Sequence, residues 1–556
     1  MKKMKKVFLA VLTIAVVTCL FAVCGVTGSA ANIIASGECG AEDDNVIWTL
    51  DSAGLLTISG EGEMYTYGYD GDPGFWQDDN YSIKSVCIED GITNIGEYAF
   101  NSCSNLTEII IPDSVTSIGG FAFARCRKLT EIIIPDSVES IGSGAFYGCS
   151  NLTEIIIPDS VETLGSYVFE GCDNLKSVKI GDSVISIGAT AFAGCTALEE
   201  IIIPDSVENL GGSAFEYCSN LKSVKIGDFV TVIGSGAFAG CTALEEIIIP
   251  DSVENLGNSA FEYCSNLKSV KIGASVTEIG SFAFDGCESL TDITIPDSVE
   301  SIGDRAFYRC TSLISIIIPD SVATIGDSAF YGCTALEEIT IPYSVATIEN
   351  YVFEACNNLK SVKIGDSVKL IGNGAFVGCL SLNNISIPES VEYIATDAFF
   401  GSGLKKIVIN NPKCVIEYSV STIPVDAVIY GYANSPAQMY AQMYGRDFVA
   451  LAAEACTHSY GEWIIDADAS CTQRGFAHRV CALCNGYEFN VIDEKGHTDE
   501  DADSCCDVCD AIIFAQTPDI GDNSETQTGA LSGFLNSITE FFNRIIAWIK
   551  SLFGIA

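Results

Sequence analysis

The chain has 556 residues, 48% of them hydrophobic, with 28 basic against 73 acidic side chains and a formal charge of −45. That much apolar side chain builds a core, so a wholly disordered chain is excluded. The charge argues against nucleic acid and anionic membrane surfaces as partners, because both are negative; cations, basic proteins and neutral glycans stay open.

Residues 1–31 read as a secretory signal. Lys2, Lys3, Lys5 and Lys6 form a basic start, Val7 to Val26 is apolar, and Ser29-Ala30-Ala31 offers a small-residue cleavage site. The expected protein is exported and secreted or held at a bacterial cell surface. Residues 32–91 predict an N-terminal β cap. Val46 to Leu50 and Leu55 to Ser59 are two strand-like runs around Asp51-Ser52-Ala53-Gly54, and Gly60 to Asp79 reads as a packed loop.

Residues 92–402 are periodic. Cysteine recurs every 23 residues from Cys103 to Cys379, and phenylalanine does so from Phe100 to Phe399. A fixed period of this size marks a solenoid, in which no unit buries its apolar face alone and stacked copies do. The unit is Cys-x-x-Leu-x-x-Ile-x-Ile-Pro-x-Ser-Val-x-x-Ile-Gly-x-x-Ala-Phe-x-x. Leu-x-x-Ile-x-Ile predicts a short strand, proline ends it, Ser-Val-x-x-Ile-Gly predicts a second extended piece, and Ala-Phe-x-x-Cys a tight turn. Roughly 13–14 rungs follow, with a core of stacked phenylalanines and buried thiols. Where Ile-Gly becomes Ile-Glu at Glu349, a glycine needing positive φ would leave a distorted rung.

This unit resembles the BspA-like branch of leucine-rich-repeat surface proteins, as does the opening Gly37-Glu38-Cys39-Gly40 with Trp48. The resemblance implies a β-rich leucine-rich-repeat solenoid of short strands and tight turns, exported and surface-displayed. It implies adhesion or protein interaction with host or bacterial surface and matrix proteins, and no catalytic residues. Catalysis is also unexpected from the residues themselves: no histidine precedes His458, which removes Ser-His-Asp and Cys-His chemistry from the repeats.

Counting seven along from each cysteine gives outward strand positions Ile110, Ile133, Ile156, Lys179, Ile202, Lys225, Ile248 and Lys271. Counting five along gives Glu200 and Glu246, among others. Isoleucines ringed by charge have the composition of an interaction patch, so these residues are the candidate partner-binding face. Diagonal Lys179–Glu200 and Lys225–Glu246 ion pairs are expected across it.

Residues 403–452 leave the period and predict a C-terminal cap, with Ser435-Pro436 opening a helix that Gly445 ends. Residues 453–515 are rich in cysteine and histidine. Cys456, His458, Cys481 and Cys484 have the spacing of one structural zinc site, and His497, Cys506 and Cys509 of a second; disulfides are the alternative in an exported chain. The region is similar to small Cys/His modules at the ends of bacterial surface proteins, and a spacer role displaying it is the second functional reading. Residues 516–529 are a polar linker. Residues 530–556 have amphipathic helical spacing suited to peripheral membrane or helix contact, without the ~20 apolar residues of a span.

Overall fold

The computed structural model describes residues 32–41, 45–66, 82–451, 461–467, 475–480 and 487–492. The chain divides into two units, Met1–Asp466 with Phe476–Val491, and Ala467–Gly475 with Ile492–Ala556. Nearly all described residues belong to the first, whose architecture follows.

It is a β-solenoid of about 16 turns at a spacing of about 23 residues. The stack outruns the 13–14 rungs expected from the cysteines. Strands Ser85–Ile88, Lys406–Ile409 and Val428–Tyr432 continue the strand stack beyond both ends of the cysteine ladder. At the start, Ile33–Glu38 and Ile47–Asp51 pair antiparallel, as do Ile47–Asp51 and Leu55–Ser59, while Leu55–Ser59 pairs parallel with Ser85–Ile88. The change to parallel pairing begins the coil. The Asp51 carboxylate shapes the intervening turn by accepting from the Ala53 and Leu55 N–H groups.

Most rungs carry two short strands. The first, such as Glu200–Ile202, alternates outward and inward side chains: Glu200 and Ile202 are exposed and Ile201 is buried. The second, such as Asn209–Leu210, buries its last residue. Second strands pair in register from Asn94–Ile95 to Thr324–Ile325 as one 11-stranded sheet. First strands pair in shorter groups, for example Ser223–Lys225 against Glu200–Ile202.

Three ladders join neighbouring rungs inside. Phenylalanine rings stack nearly parallel, with centroids 5.4 Å apart for Phe215–Phe238 and 5.5 Å for Phe238–Phe261. Each cysteine from Cys126 to Cys379 donates its thiol hydrogen to a phenylalanine carbonyl one rung back; Cys218 Sγ lies 3.2 Å from Phe192 O. Serines of the Pro-x-Ser-Val segment do likewise, Ser252 Oγ to Val230 O at 2.7 Å. A buried thiol thus fills space and satisfies a carbonyl. The ladder cysteines are buried free thiols, and so is Cys39.

The glycine of Ile-Gly does not have positive φ, which corrects the expectation. A Cβ on Gly257 would stand 2.5 Å from Ser235 N in the preceding rung, so close approach of backbones excludes a side chain there. Where Glu349 replaces that glycine, the 11-stranded sheet ends at Thr324–Ile325 and a separate four-stranded sheet starts at Thr347–Ile348. Ala395, with one methyl group, leaves the Tyr393–Ile394 pairing to Leu370–Ile371 intact.

After the repeats, α1 (Pro436–Tyr444) is capped by the Ser435 side chain and ends at Gly445 with φ 65°. Tyr440 is buried there, its hydroxyl donating to Ser419 O at 2.7 Å. Strands Ile464–Ala467, Gly475–Val480 and Tyr487–Ile492 form a three-stranded sheet.

Candidate partner-binding surface

The first strands and the equivalent extended segments place the candidate residues in a row on one face, one rung apart, because the 23-residue register is unbroken. Ile133, Ile156, Ile202, Ile248 and Ile317 are exposed, from 46% at Ile133 to 84% at Ile317. Lys179, Lys225 and Lys271 occupy the same position on intervening rungs and are exposed, while Ile110 is half-buried. Ile202 faces Lys225 and Ile248 faces Lys271 directly across paired strands. Glu200 and Glu246 face Ser223 and Ser269.

The diagonal ion pairs do not form. The pairs on this side lie one residue earlier and straight across the stack: Lys222–Glu199 at 2.9 Å, Lys268–Glu245 at 2.8 Å and Lys360–Glu337 at 2.8 Å. Position four of one rung sits over position four of the next, nearer than any diagonal neighbour. Lys179, Lys225, Lys271, Glu200 and Glu246 therefore make no ion pair among the described residues and keep their charges for solvent or a partner. The formed pairs are at least half exposed and are worth only ~0–1 kcal/mol each.

Along the second strands runs an acidic groove of about 530 Å³, lined by residues including Glu278, Asp304, Asp327 and Glu349. Partial burial, then the Asp327 and Asp304 charges, hold the Glu349 carboxyl above its ordinary value.

A third surface was not singled out by the strand pattern. In the turns, the residues five and one before each cysteine are left-handed: Gly236 and Gly240 have φ 67° and 72°, whereas Tyr217, Tyr263, Phe282, Arg305 and Arg309 have φ between 54° and 61°. Arg305 lies over the rings of Phe282 and Tyr308 at 5.5 and 5.3 Å, and Arg309 over Tyr308 at 5.3 Å. Tyr308 stacks on Tyr331 at 4.5 Å. The signal was legible in the aligned repeats, where these positions change between glycine and bulky residues from rung to rung.

Cys456, His458, Cys481, Cys484, His497, Cys506 and Cys509 lie outside the described residues, as do residues 1–31, residues 67–79 of the expected loop, and residues 530–556. Among the described residues no cluster of three or more histidines, cysteines or carboxylates is arranged to hold a metal ion.

The profile of the BspA type leucine rich repeat region (six copies) matches residues 77–199, 185–314 and 300–420. Among solved structures, a leucine-rich repeat protein from Bacteroides ovatus ATCC 8483 is 27% identical, covering 74% of this chain and 99% of its own, with TM-score 0.47. A leucine rich cell surface protein from Faecalibacterium prausnitzii A2-165 is 28% identical over 59% of this chain and 95% of its own, TM-score 0.36. The pneumococcal vaccine antigen PcpA is 19% identical over 75% and 100%, TM-score 0.40. No curated protein matches the chain. With more than half its length matched by the repeat profile, the chain belongs to the BspA type leucine-rich-repeat family.

Proposed function

We propose that this is an exported, non-enzymatic cell-surface protein that adheres to host or bacterial surface or matrix proteins through the outward strand face. The carrying observation is a row of exposed isoleucines, reaching 84% at Ile317, interleaved with lysines that make no ion pair among the described residues. A solvated sheet face is ordinarily polar, and repeated exposed isoleucine is unfavourable unless a partner covers it. The unpaired lysines share the strip with the exposed carboxylates of Glu154, Glu200, Glu246 and Asp292, so it presents both charges beside apolar side chains and selects a partly apolar protein surface of complementary mixed charge. The rigid register presents both rows as a preorganised array, which lowers the entropy lost on binding.

The test is pull-down of matrix and cell-surface proteins by the full chain and by a Lys225→Glu, Lys271→Glu variant. Loss of captured partners with an unchanged melting temperature supports the reading. Equal capture by the variant refutes it.

A further inference from the structure

We propose that the turn face from Tyr217 to Tyr351 is a second binding surface, distinct from the strand face, and that it takes an extended neutral glycan. The first reason is conformational. Tyr217, Tyr263, Phe282, Arg305, Arg309 and Tyr351 all have positive φ, between 54° and 61°. Other rungs place glycine in the same slots, as at Gly236, Gly240 and Gly286, or further left-handed residues, as at Tyr98, Phe121, Arg125 and Tyr167. A large side chain in left-handed backbone is strained where glycine is not, and such strain clusters at binding sites.

The second reason is that the polar groups here are unspent. Arg305 and Arg309 lie over aromatic rings, yet neither guanidinium makes a hydrogen bond or ion pair among the described residues. Asp285 is only 6% exposed, and its carboxylate likewise has no hydrogen-bond or ion-pair partner among the described residues. Its surroundings are charged: burial first and Glu262 second push its carboxyl up to about 6, against the opposing pull of Arg305 and Arg309. Fork-shaped donors and carboxylate acceptors side by side match vicinal sugar hydroxyls, which donate and accept at once. The same mixture carries little net charge, so it does not select an anion.

The third reason is the spacing of the rings. Tyr217 and Tyr263 are 60% and 55% exposed and sit at the same position two rungs apart, about 10 Å by strand spacing. That step is the length of a disaccharide unit in an extended β-linked chain. Ring faces pack against the C–H faces of sugars, as they do in other offset-stacked contacts. Tyr308 and Tyr331, stacked at 4.5 Å and 10°, extend the platform on adjacent rungs.

The experiment titrates the full chain with cellohexaose, oligogalacturonate and a polyglutamate peptide, following tyrosine fluorescence and heat. Binding of cellohexaose with at least about tenfold preference over both anions is expected. Tyr217→Ala with Tyr263→Ala is expected to weaken it about tenfold or more. Arg309→Lys, which keeps the charge but loses the planar fork, should weaken it several-fold. The strand-face variant Lys225→Glu, Lys271→Glu should bind the sugar normally, so this surface and the adhesion face fail or stand separately. Tyrosine-to-alanine variants with native melting temperatures and unchanged affinity overturn the proposal. So does tighter binding of either anion, or no cellohexaose binding at millimolar concentration.

Discussion

Raising the pH should unfold the solenoid by ionising its cysteines. Thirteen cysteines from Cys103 to Cys379 are buried as free thiols. Burial pushes Cys103, Cys149, Cys218, Cys264, Cys333 and Cys379 up to about 12. It also holds Cys126, Cys172, Cys195, Cys241, Cys287, Cys310 and Cys356 well above the ordinary thiol value. In the unfolded chain the thiol titrates near ~8.5–9. The folded value is the raised one, so the native state holds more protons between the two. The thiol contribution is therefore complete below about pH 8.5 and is lost as pH climbs towards about 12. From about pH 8.5 to 9.5 each unfolded thiol has released about 0.5–0.75 proton, which removes ~0.7–1 kcal/mol per thiol. Across the ladder that is roughly 9–13 kcal/mol, comparable with the whole stability of an ordinary domain. Urea titrations under reductant at about pH 7.5, 8.5 and 9.5 measure it. Replacing Cys195, Cys218, Cys241 and Cys264 by alanine removes four of the thirteen thiols. That variant should start less stable and show a pH slope flattened by about a third. A urea midpoint that stays constant across this pH range would refute the buried, neutral ladder.

The remaining predictions concern the coupling between rungs. Phe238→Ala removes a ring stacked on both sides, at 5.4 and 5.5 Å, and should cost about 3–5 kcal/mol while splitting one unfolding transition into two. Phe399→Ala, whose stacked phenylalanine is Phe376 at 5.4 Å, should fray the end and leave a single main transition by circular dichroism. Gly257→Ala forces a methyl group against Ser235 N, 2.5 Å from the Cβ position, and should cost about 1–3 kcal/mol in urea denaturation.

The fold was legible because one inward pattern repeats without a slip: Leu, Ile, Phe and Cys mark buried positions on rung after rung, and their register fixes strand pairing. What escaped is what depends on the third dimension between rungs. The Ile-Gly glycine looked like a turn residue, but the constraint is the neighbouring backbone, 2.5 Å from the Cβ position at Gly257. No single unit contains that neighbour. Likewise, Lys225 and Glu246 are diagonal partners on paper, yet Lys222 and Glu199 meet at 2.9 Å because identical positions stack directly. The left-handed slots at Tyr263 and Arg309 show in the sequence only as a change between glycine and bulky residues from rung to rung, which a single consensus unit averages away.

Variation therefore carries different meanings on the two faces. On the strand face it is itself periodic: isoleucine at Ile202 and Ile248 alternates with lysine at Lys225 and Lys271, as a duplicated 46-residue block requires. Duplication extends such a face by copying, and a partner held there gains contacts in proportion to the number of rungs. On the turn face Tyr217 and Tyr263 follow the duplication, as do Ser213 with Ser259 and Gly240 with Gly286. Arg305 and Arg309 lie in a rung that follows the duplicated block, while Gly236 and Gly240 fill the same two slots within it. A periodic scaffold makes such aperiodic residues conspicuous, because the core gives no reason for one rung to differ from the next. The bulky left-handed residues also strain the backbone that glycine would relax. The Arg305–Arg309 pair that completes the turn-face site lies outside residues 195–240, so an extra copy of that block copies a tyrosine without copying the site. Lengthening the array by duplication should then strengthen strand-face adhesion and leave the affinity of a single turn-face site unchanged. Comparing binding by the native chain with that by one carrying an additional copy of residues 195–240 separates the two: equal gains on both faces would mean that the turn residues are not a discrete site.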